Sequence, residues 1–404
     1  MYIIIVNPSI LSSTGMPFSG VLTATVLVSA LASIAMGIFA KNPVLIAPGM
    51  GINAFFTYTV VAGMKVPWEV ALGVVFWSGV IFFILSVCNV RTLILQAIPK
   101  QLRFGVAGGI GLFISIIGLK NAGFIVSSPD TLITRGSLNP ILITFIIGFA
   151  VTAILVAKNI RGALVIGIGA TTLLAVPLGR IWGHTVPLVS WNGFFAMPDF
   201  SLFFKLDVTH SLAIGLWPAL FAFLFTCMFD SLSTFVGVAE AGNLMDENGE
   251  PRNIRQSLIV DSLSTVFSGI AGTSPGTSYI ESATGIAQGG RRGLTAIVAG
   301  LLFLPFMFFS PVLSVIPAIA TAPALVLVGV FMMKPVLNIN WNCYDDAIPA
   351  FLAFILIPLT SSITQGIVWG FLCWTVIKIA CGKYKEVSPM LLVIDALAIV
   401  SFIE

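Results

Sequence analysis

Apolar stretches of about 20 residues, the helix length that crosses a bilayer core about 30 Å thick, recur from Gly20 onward, punctuated by Gly, Pro and charged clusters. They predict spans near 20–40, 43–63, 69–90, 104–122, 139–157 and 162–179. A long polar-aromatic connection over 180–210 follows, then spans near 212–239, 256–273, 276–288, 294–316, 322–334, 346–360, 363–380 and a short one at 389–402. Met1–Leu11 is apolar but too short to cross alone, and reads as the tail of a first span whose beginning is missing. The chain is therefore expected to be one membrane unit, 1–404, with halves at 1–180 and 211–404.

Two of these spans break in the same way. Ala47-Pro48-Gly49-Met50-Gly51-Ile52-Asn53 and Ser274-Pro275-Gly276-Thr277-Ser278-Tyr279-Ile280-Glu281 each begin with Pro-Gly and end in a side chain able to hydrogen-bond. Pro removes a backbone donor and Gly weakens a helix, so this backbone suits a segment lining a cavity, not one facing lipid. Matched interruptions in two halves point to a transporter's binding site. A pair of ordinary kinked helices would explain neither the matching positions nor the polar ends.

Charge then orients the chain. With Met1–Leu11 counted as the first span, loops after even-numbered spans hold Lys41, Arg91, Lys100, Arg103, Lys158, Arg161, Arg252, Arg255, Arg291 and Arg292. Loops after odd-numbered spans hold only Lys65, Lys120, Arg135, Arg180 and Lys205. The positive-inside rule places the N-terminus of the complete protein in the cytoplasm, in an inner or plasma membrane, with Lys334, Lys378, Lys383 and Lys385 on the same side. The 404 residues are 58% hydrophobic and 9% charged, too few charges to cover a soluble domain, so the lipid bilayer is the expected solvent. A net charge of +3 without a long basic run argues against nucleic acid. Five scattered cysteines without a C-x-x-C pair, and two histidines, His184 and His210, in the polar connection, predict no metal and no cofactor.

Carboxylates inside spans are costly, so each needs a reason. Asp230 is followed by Ser233, Thr234 and Gly237 at i+3, i+4 and i+7, one polar, open helix face. Glu281 is followed at the same spacings by Thr284, Gly285 and Gln288, directly after the second broken segment, and Asp261 by Ser264 and Ser268. Asp261 is as suited to tying two helices together as to touching a substrate, and Glu240, near the end of its span, to a solvated role. A heterocyclic base offers N–H donors along its edge. Carboxylates accept from N–H, and Asn both donates and accepts, so Asn53, Asp230 and Glu281 form an edge-reading set, joined by Ser278 and Thr284. Phe55, Phe56, Phe229 and Tyr279 would stack on its faces. Gly49, Gly51, Gly276, Asp261 and Cys227 support the site. A carboxylate taken out of water holds its proton more readily, so Asp230 or Glu281 would couple uptake to protons.

These residues resemble the nucleobase/cation symporter 2 superfamily, in its AzgA-like branch of guanine, hypoxanthine and adenine permeases. The resemblance runs from Asn7-Pro8-Ser9-Ile10-Leu11 through APGMGINAFF (47–56), FDSLSTFVGVAEAGNL (229–244), GTSPGTSYIESATGIAQGGRRGLTA (272–296) and ATAPALVLVG (320–329). It implies an all-α polytopic protein of about 14 transmembrane segments in two inverted repeats of seven, with core and gate domains, and short strands in the third and tenth spans. It further implies substrate-site positions at Asn53 and Glu281, an acidic position at Asp230, proton symport of purines and a homodimer through the gate. Relatives often carry a second acid where this chain has Cys227, and several dozen more residues at the N-terminus.

The readings in competition are a transporter of the same fold for xanthine, urate, uracil or an anion, a passive channel, and an intramembrane enzyme. Cations are missing from the broken segments, which disfavours an anion. No H-E-x-x-H motif, no Ser/His pair within spans and no phosphate loop appears, which disfavours an enzyme. Cys227→Asp is expected to change purine preference more than stability. An unchanged inhibition profile would assign the position to packing.

Overall fold

The computed structural model describes residues 2–88, 99–128, 132–160, 162–181, 193–242, 244–245, 251–279, 281–287, 289–388, 391–392 and 395. Most of the short span expected at 389–402 lies outside these residues, as do Arg91, Arg161, His184 and Gln288.

The first half opens with α1 (Ile3–Leu11) and α2 (Phe18–Ala35), the latter continued by a wider π turn over Met36–Ala40. The chain then becomes extended as β1 (Ile46–Pro48), re-enters a helix as α3 (Met50–Ala54), and widens again to a π turn over Phe55–Gly63. Next come α4 (Trp68–Val87), α5 (Lys100–Asn121), a hairpin of β2 (Ile125–Ser128) and β3 (Leu132–Arg135), α6 (Pro140–Ala157) and α7 (Ala163–Ile181). The hairpin was not expected from the span pattern. Its β-branched strands are only four residues each, invisible to a search for 20-residue apolar runs. Helix α6 starts where it does because Asn139 Oδ1 accepts from the Leu142 N–H at 2.8 Å and Pro140 occupies the first turn, where its missing donor costs nothing.

The second half runs α8 (Trp217–Gly242), α9 (Ile254–Ala271), β4 (Gly276–Ser278), α10 (Ser282–Ala287), α11 (Gly293–Phe303), α12 (Ser310–Ser314), α13 (Ala318–Phe331), α14 (Tyr344–Thr360) and α15 (Ile363–Ala380). Seven helical segments among the described residues are long and apolar enough to cross a membrane. The described part of the connection between the halves is tied down rather than free. Asp199 accepts from the Ser19 hydroxyl at 2.7 Å, and its N–H donates to Thr23 at 3.0 Å. Near its end, hydrogen bonds from the His210 backbone N–H and imidazole hold the Asp207 carboxyl down at about 2, which gives one expected histidine a local capping role.

Contacts divide the helices into two groups. In one, α9 packs on α4 and α2, α11 on α2, α1 on α2, and α10 on α8. In the other, α14 packs on α15 and α5, α13 on α5, and α6 on α7. Close approach within each group uses small residues, as is usual between helices in lipid. A Cβ at Gly148 would lie 2.3 Å from Thr171 Oγ1, and one at Gly167 2.2 Å from Thr152 Oγ1, a reciprocal pair between α6 and α7. In the second group Lys378 is 2% exposed and is neutralised by Asp345 at 2.7 Å and Glu386 at 2.8 Å, which ties α15 to the start of α14.

The strands β1 and β4 pair antiparallel, with Ile46 opposite Ser278, Ala47 opposite Thr277 and Pro48 opposite Gly276. Their pairing is extended by Gly49 N–H to Pro275 O at 3.1 Å and Tyr279 N–H to Leu45 O at 2.9 Å. Gly276 is required by space: a Cβ there would sit 2.2 Å from Ser264 Oγ on α9. Gly276→Val should therefore cost about 1–3 kcal/mol through overpacking and lower the Tm of the detergent-purified protein. Gly169→Ala, where an added Cβ meets no atom within 4 Å, is the control expected to melt like wild type.

Candidate functional site

The pairing of β1 with β4 brings the two broken segments back to back in the middle of the first helix group, and side chains complete what the short ladder leaves open. Ser33 Oγ on α2 accepts from Ile46 N–H at 3.0 Å. Ser268 Oγ on α9 accepts from Gly276 N–H at 3.0 Å, and Ser282 Oγ accepts from Leu45 N–H at 3.0 Å. Each hydroxyl replaces a helical partner that the extended backbone has lost.

Asp261, fully buried on α9, accepts from Ser278 Oγ at 2.8 Å and from Ser231 Oγ on α8. Its oxygens thus join α8, α9 and β4, the tying role the sequence allowed. Ser278, expected beside a substrate, turns toward this carboxylate and is 3% exposed. Cys227 is buried on the same flank of α8, within the electrostatic reach of Asp261 and Asp230.

The other flank of α8 is open. Asp230 is half-buried and Ser233 exposed, whereas Ser231 and Thr234 between and beside them are buried. The polar face expected at 230, 233, 234 and 237 is therefore split, with Thr234 turned inward. Glu281, just after β4, is exposed, accepts from the Tyr2 hydroxyl at 2.6 Å, and lies within the electrostatic reach of Asp230. Tyr279 donates to Pro48 O at 2.6 Å and sits 6.4 Å from the Tyr2 ring, so the two strands and α1 share this corner. Thr284 falls on α10; its side chain, like that of Glu240, lies outside the described residues.

Asn53 is completely buried at the end of α3. The Ser274 hydroxyl lies 2.5 Å from Asn53 Oδ1, and Asn53 Nδ2 has no hydrogen-bond partner among the described residues. One turn on, Thr57 Oγ1 is also buried without a partner, as is Thr226 Oγ1 one turn before Asp230. Buried polar groups are nearly always paired, so each of these three, two on the α3 segment and one on α8, is suited to a polar partner.

The site faces the second helix group. The α3 segment touches α5, where a Cβ at Gly51 would lie 2.4 Å from Ile110 Cγ2. From α8, Phe225 packs edge-on against Phe371 of α15 at 5.3 Å, and Phe229 lies under Arg103 of α5 at 5.3 Å. Phe55 packs on Phe223 at 4.8 Å and is fully buried, so it serves the packing of α3 on α8 and presents no face for stacking.

Sequence reasoning missed Tyr2, Asn7, Ser231, Thr273 and Ser274. Asn7 donates to Thr25 at 2.6 Å and Thr273 at 2.8 Å, which binds α1 to α2 and to the second broken segment. The signal available in the sequence was an amide in the middle of a run, Ile3–Leu11, made almost wholly of apolar residues.

The permease family (Xan_ur_permease) matches residues 1–369. The adenine permease AdeP of Escherichia coli (strain K12) is 40% identical over 406 residues, spanning 100% of this chain and 89% of that protein. The guanine/hypoxanthine permease PbuO of Bacillus subtilis (strain 168) is 40% identical over 419 residues, spanning 100% and 93%. Among solved structures, the transmembrane domain of the cyanobacterial bicarbonate transporter BicA superposes with a TM-score of 0.67 at 16% identity, over 90% of this chain and 94% of that one, a likeness of fold alone. The chain belongs to the permease family: it is a multi-pass membrane transporter and not an enzyme.

Tyr2→Phe deletes only the hydroxyl that serves Glu281. A hydrogen bond to a carboxylate contributes about 1.5–3 kcal/mol to the fold, so the Tm should drop, and uptake per protein in the membrane should fall about tenfold or more as Glu281 loses its partner. Unchanged uptake would show the contact to be idle.

Proposed function

We propose that this chain is a proton-coupled secondary active importer of purine nucleobases, of the guanine, hypoxanthine or adenine class. The observation that carries the reading is the pair of broken segments, joined through β1 and β4, with Asn53 at the end of one, Glu281 at the end of the other, and Asp230 within the field of Glu281 on α8. A purine presents ring and exocyclic N–H groups beside acceptor nitrogens and oxygens. Carboxylates at Asp230 and Glu281 accept from the former, while Asn53, and Thr284 three residues after Glu281 in the chain, serve either. The names of the relatives, adenine permease and guanine/hypoxanthine permease, support the same ligand class.

The two helix groups support a core that holds the site and a gate that rocks against it, within about 14 spans as two inverted repeats of seven. Asp230 and Glu281 are the proton-coupling acids in this reading. Glu281 is accessible and Asp230 half-buried, so a proton taken up with the base on one side travels with it. A homodimer through the gate group fits the same architecture. The second reading is a transporter of this fold for xanthine, urate or uracil, since Cys227 takes the place of a second acid expected from the family resemblance.

Uptake of radiolabelled hypoxanthine, guanine and adenine should be competed by unlabelled purines, exceed the outside concentration, and collapse with a protonophore. Competition by none of them would overturn the purine assignment, and uptake that never accumulates would mean a passive channel. Glu281→Gln and Asp230→Asn should each lower uptake about 10- to 100-fold, as expected for losing a charged hydrogen-bond partner, with membrane expression intact. Near-normal uptake by both would remove the proposed site.

A further inference from the structure

Four buried polar side chains, Asn7, Thr25, Thr273 and Ser274, connect α1 and α2 to Asn53. The Thr25 hydroxyl donates its one proton to Val21 O at 2.7 Å, within its own helix. Its oxygen must then accept from Asn7, which fixes the Asn7 amide with Nδ2 toward Thr25 at 2.6 Å. The second Nδ2 proton goes to Thr273 Oγ1 at 2.8 Å. Asn7 Oδ1 is left as an acceptor, and the Ser274 hydroxyl reaches it at 3.1 Å.

Ser274 has a single proton and two amide oxygens in reach, Asn7 Oδ1 at 3.1 Å and Asn53 Oδ1 at 2.5 Å. Asn7, Thr25, Thr273, Ser274 and Asn53 are all at 0% exposure, so whichever oxygen goes without a donor does so away from solvent. The two ends of an asparagine amide have nearly the same outline and are told apart by their partners. Turning Asn53 by half a turn leaves Ser274 one oxygen to serve and one group unpaired, the Asn53 carbonyl oxygen, in the place of the partnerless Nδ2. Ser274 then donates to Asn7 and accepts from Asn53 Nδ2, and the end of Asn53 that faces away from Ser274 is its carbonyl oxygen.

We propose that Asn7 and Ser274 are positioning residues that hold the Asn53 amide with its carbonyl oxygen toward the ligand, so that this position selects an edge bearing N–H over one bearing a lone pair. The ligand half of this inference rests on the reading of Asn53 as a substrate contact; the wiring half does not. It assigns the first helix a part in specificity, through a chain that starts at an α2 backbone carbonyl and ends at the site.

Two measurements on the full chain test the halves separately. For the wiring, the Tm of Ser274→Ala, Asn7→Leu and the double variant is compared in detergent. Residues that share a proton are not additive, so the double variant should melt within about 2 °C of the less stable single. A loss equal to the sum of the singles overturns the wiring, whatever the substrate. For the polarity, Asn53→Asp is compared with Asn53→Leu in hypoxanthine uptake, each relative to wild type at the same pH. A protonated carboxyl reproduces the proposed arrangement, O–H toward Ser274 and C=O toward the base. Asn53→Asp should thus keep uptake within about tenfold of wild type near pH 5.5 and lose it near pH 8, while Asn53→Leu is down about 100-fold at both. Equal losses in the two variants at pH 5.5 overturn the assigned polarity. Absence of purine uptake in the wild type overturns the substrate reading instead and leaves the Tm result to stand alone.

Discussion

A peptide group that leaves helical geometry inside a membrane protein still needs a hydrogen-bond partner, because hydrocarbon offers none. In this chain two segments leave the helix, and they partner each other: β1 and β4 are three residues each, and neither could persist alone. Everything else near the site follows from that need. Serines on α2 and α9 close the ends of the ladder, Gly276 lets α9 approach it, and Asp261 gathers the Ser278 and Ser231 hydroxyls so that α8 stands in fixed register with the strands.

This arrangement separates two uses of acid. Asp261 has both oxygens occupied by hydroxyl donors and no exposure, so it acts as a structural tie. Asp230 and Glu281 keep accessible surface and stand in each other's field. Rigid support behind and accessible carboxylates in front is the division of labour that the proposed site requires, since a site that must release its ligand has to be held in shape by something other than the ligand. The face that remains open looks toward the second helix group, which it meets through Phe371, Arg103 and the close approach of Gly51 to Ile110.

Much was legible in the chain itself. Apolar runs of the right length locate the helices, since a bilayer imposes one length on every segment that crosses it. The repeated Pro-Gly interruption marks β1 and β4, because those residues weaken helices wherever they stand. Intramembrane acids mark Asp230, Asp261 and Glu281, because their cost demands a reason. These are local properties of composition and spacing. What only the tertiary structure decided is which donor meets which acceptor. Spacing put Ser233 and Thr234 on one face, yet Thr234 is buried and Ser233 is not; Ser278 looked free to meet a ligand, yet it serves Asp261; Asn7 looked like one polar residue in an apolar helix, yet it joins α1 to Thr25 and Thr273. A hydrogen bond is short and directional, and its partner here can stand 279 residues away in the chain, as for Tyr2 and Glu281, so no periodicity records it.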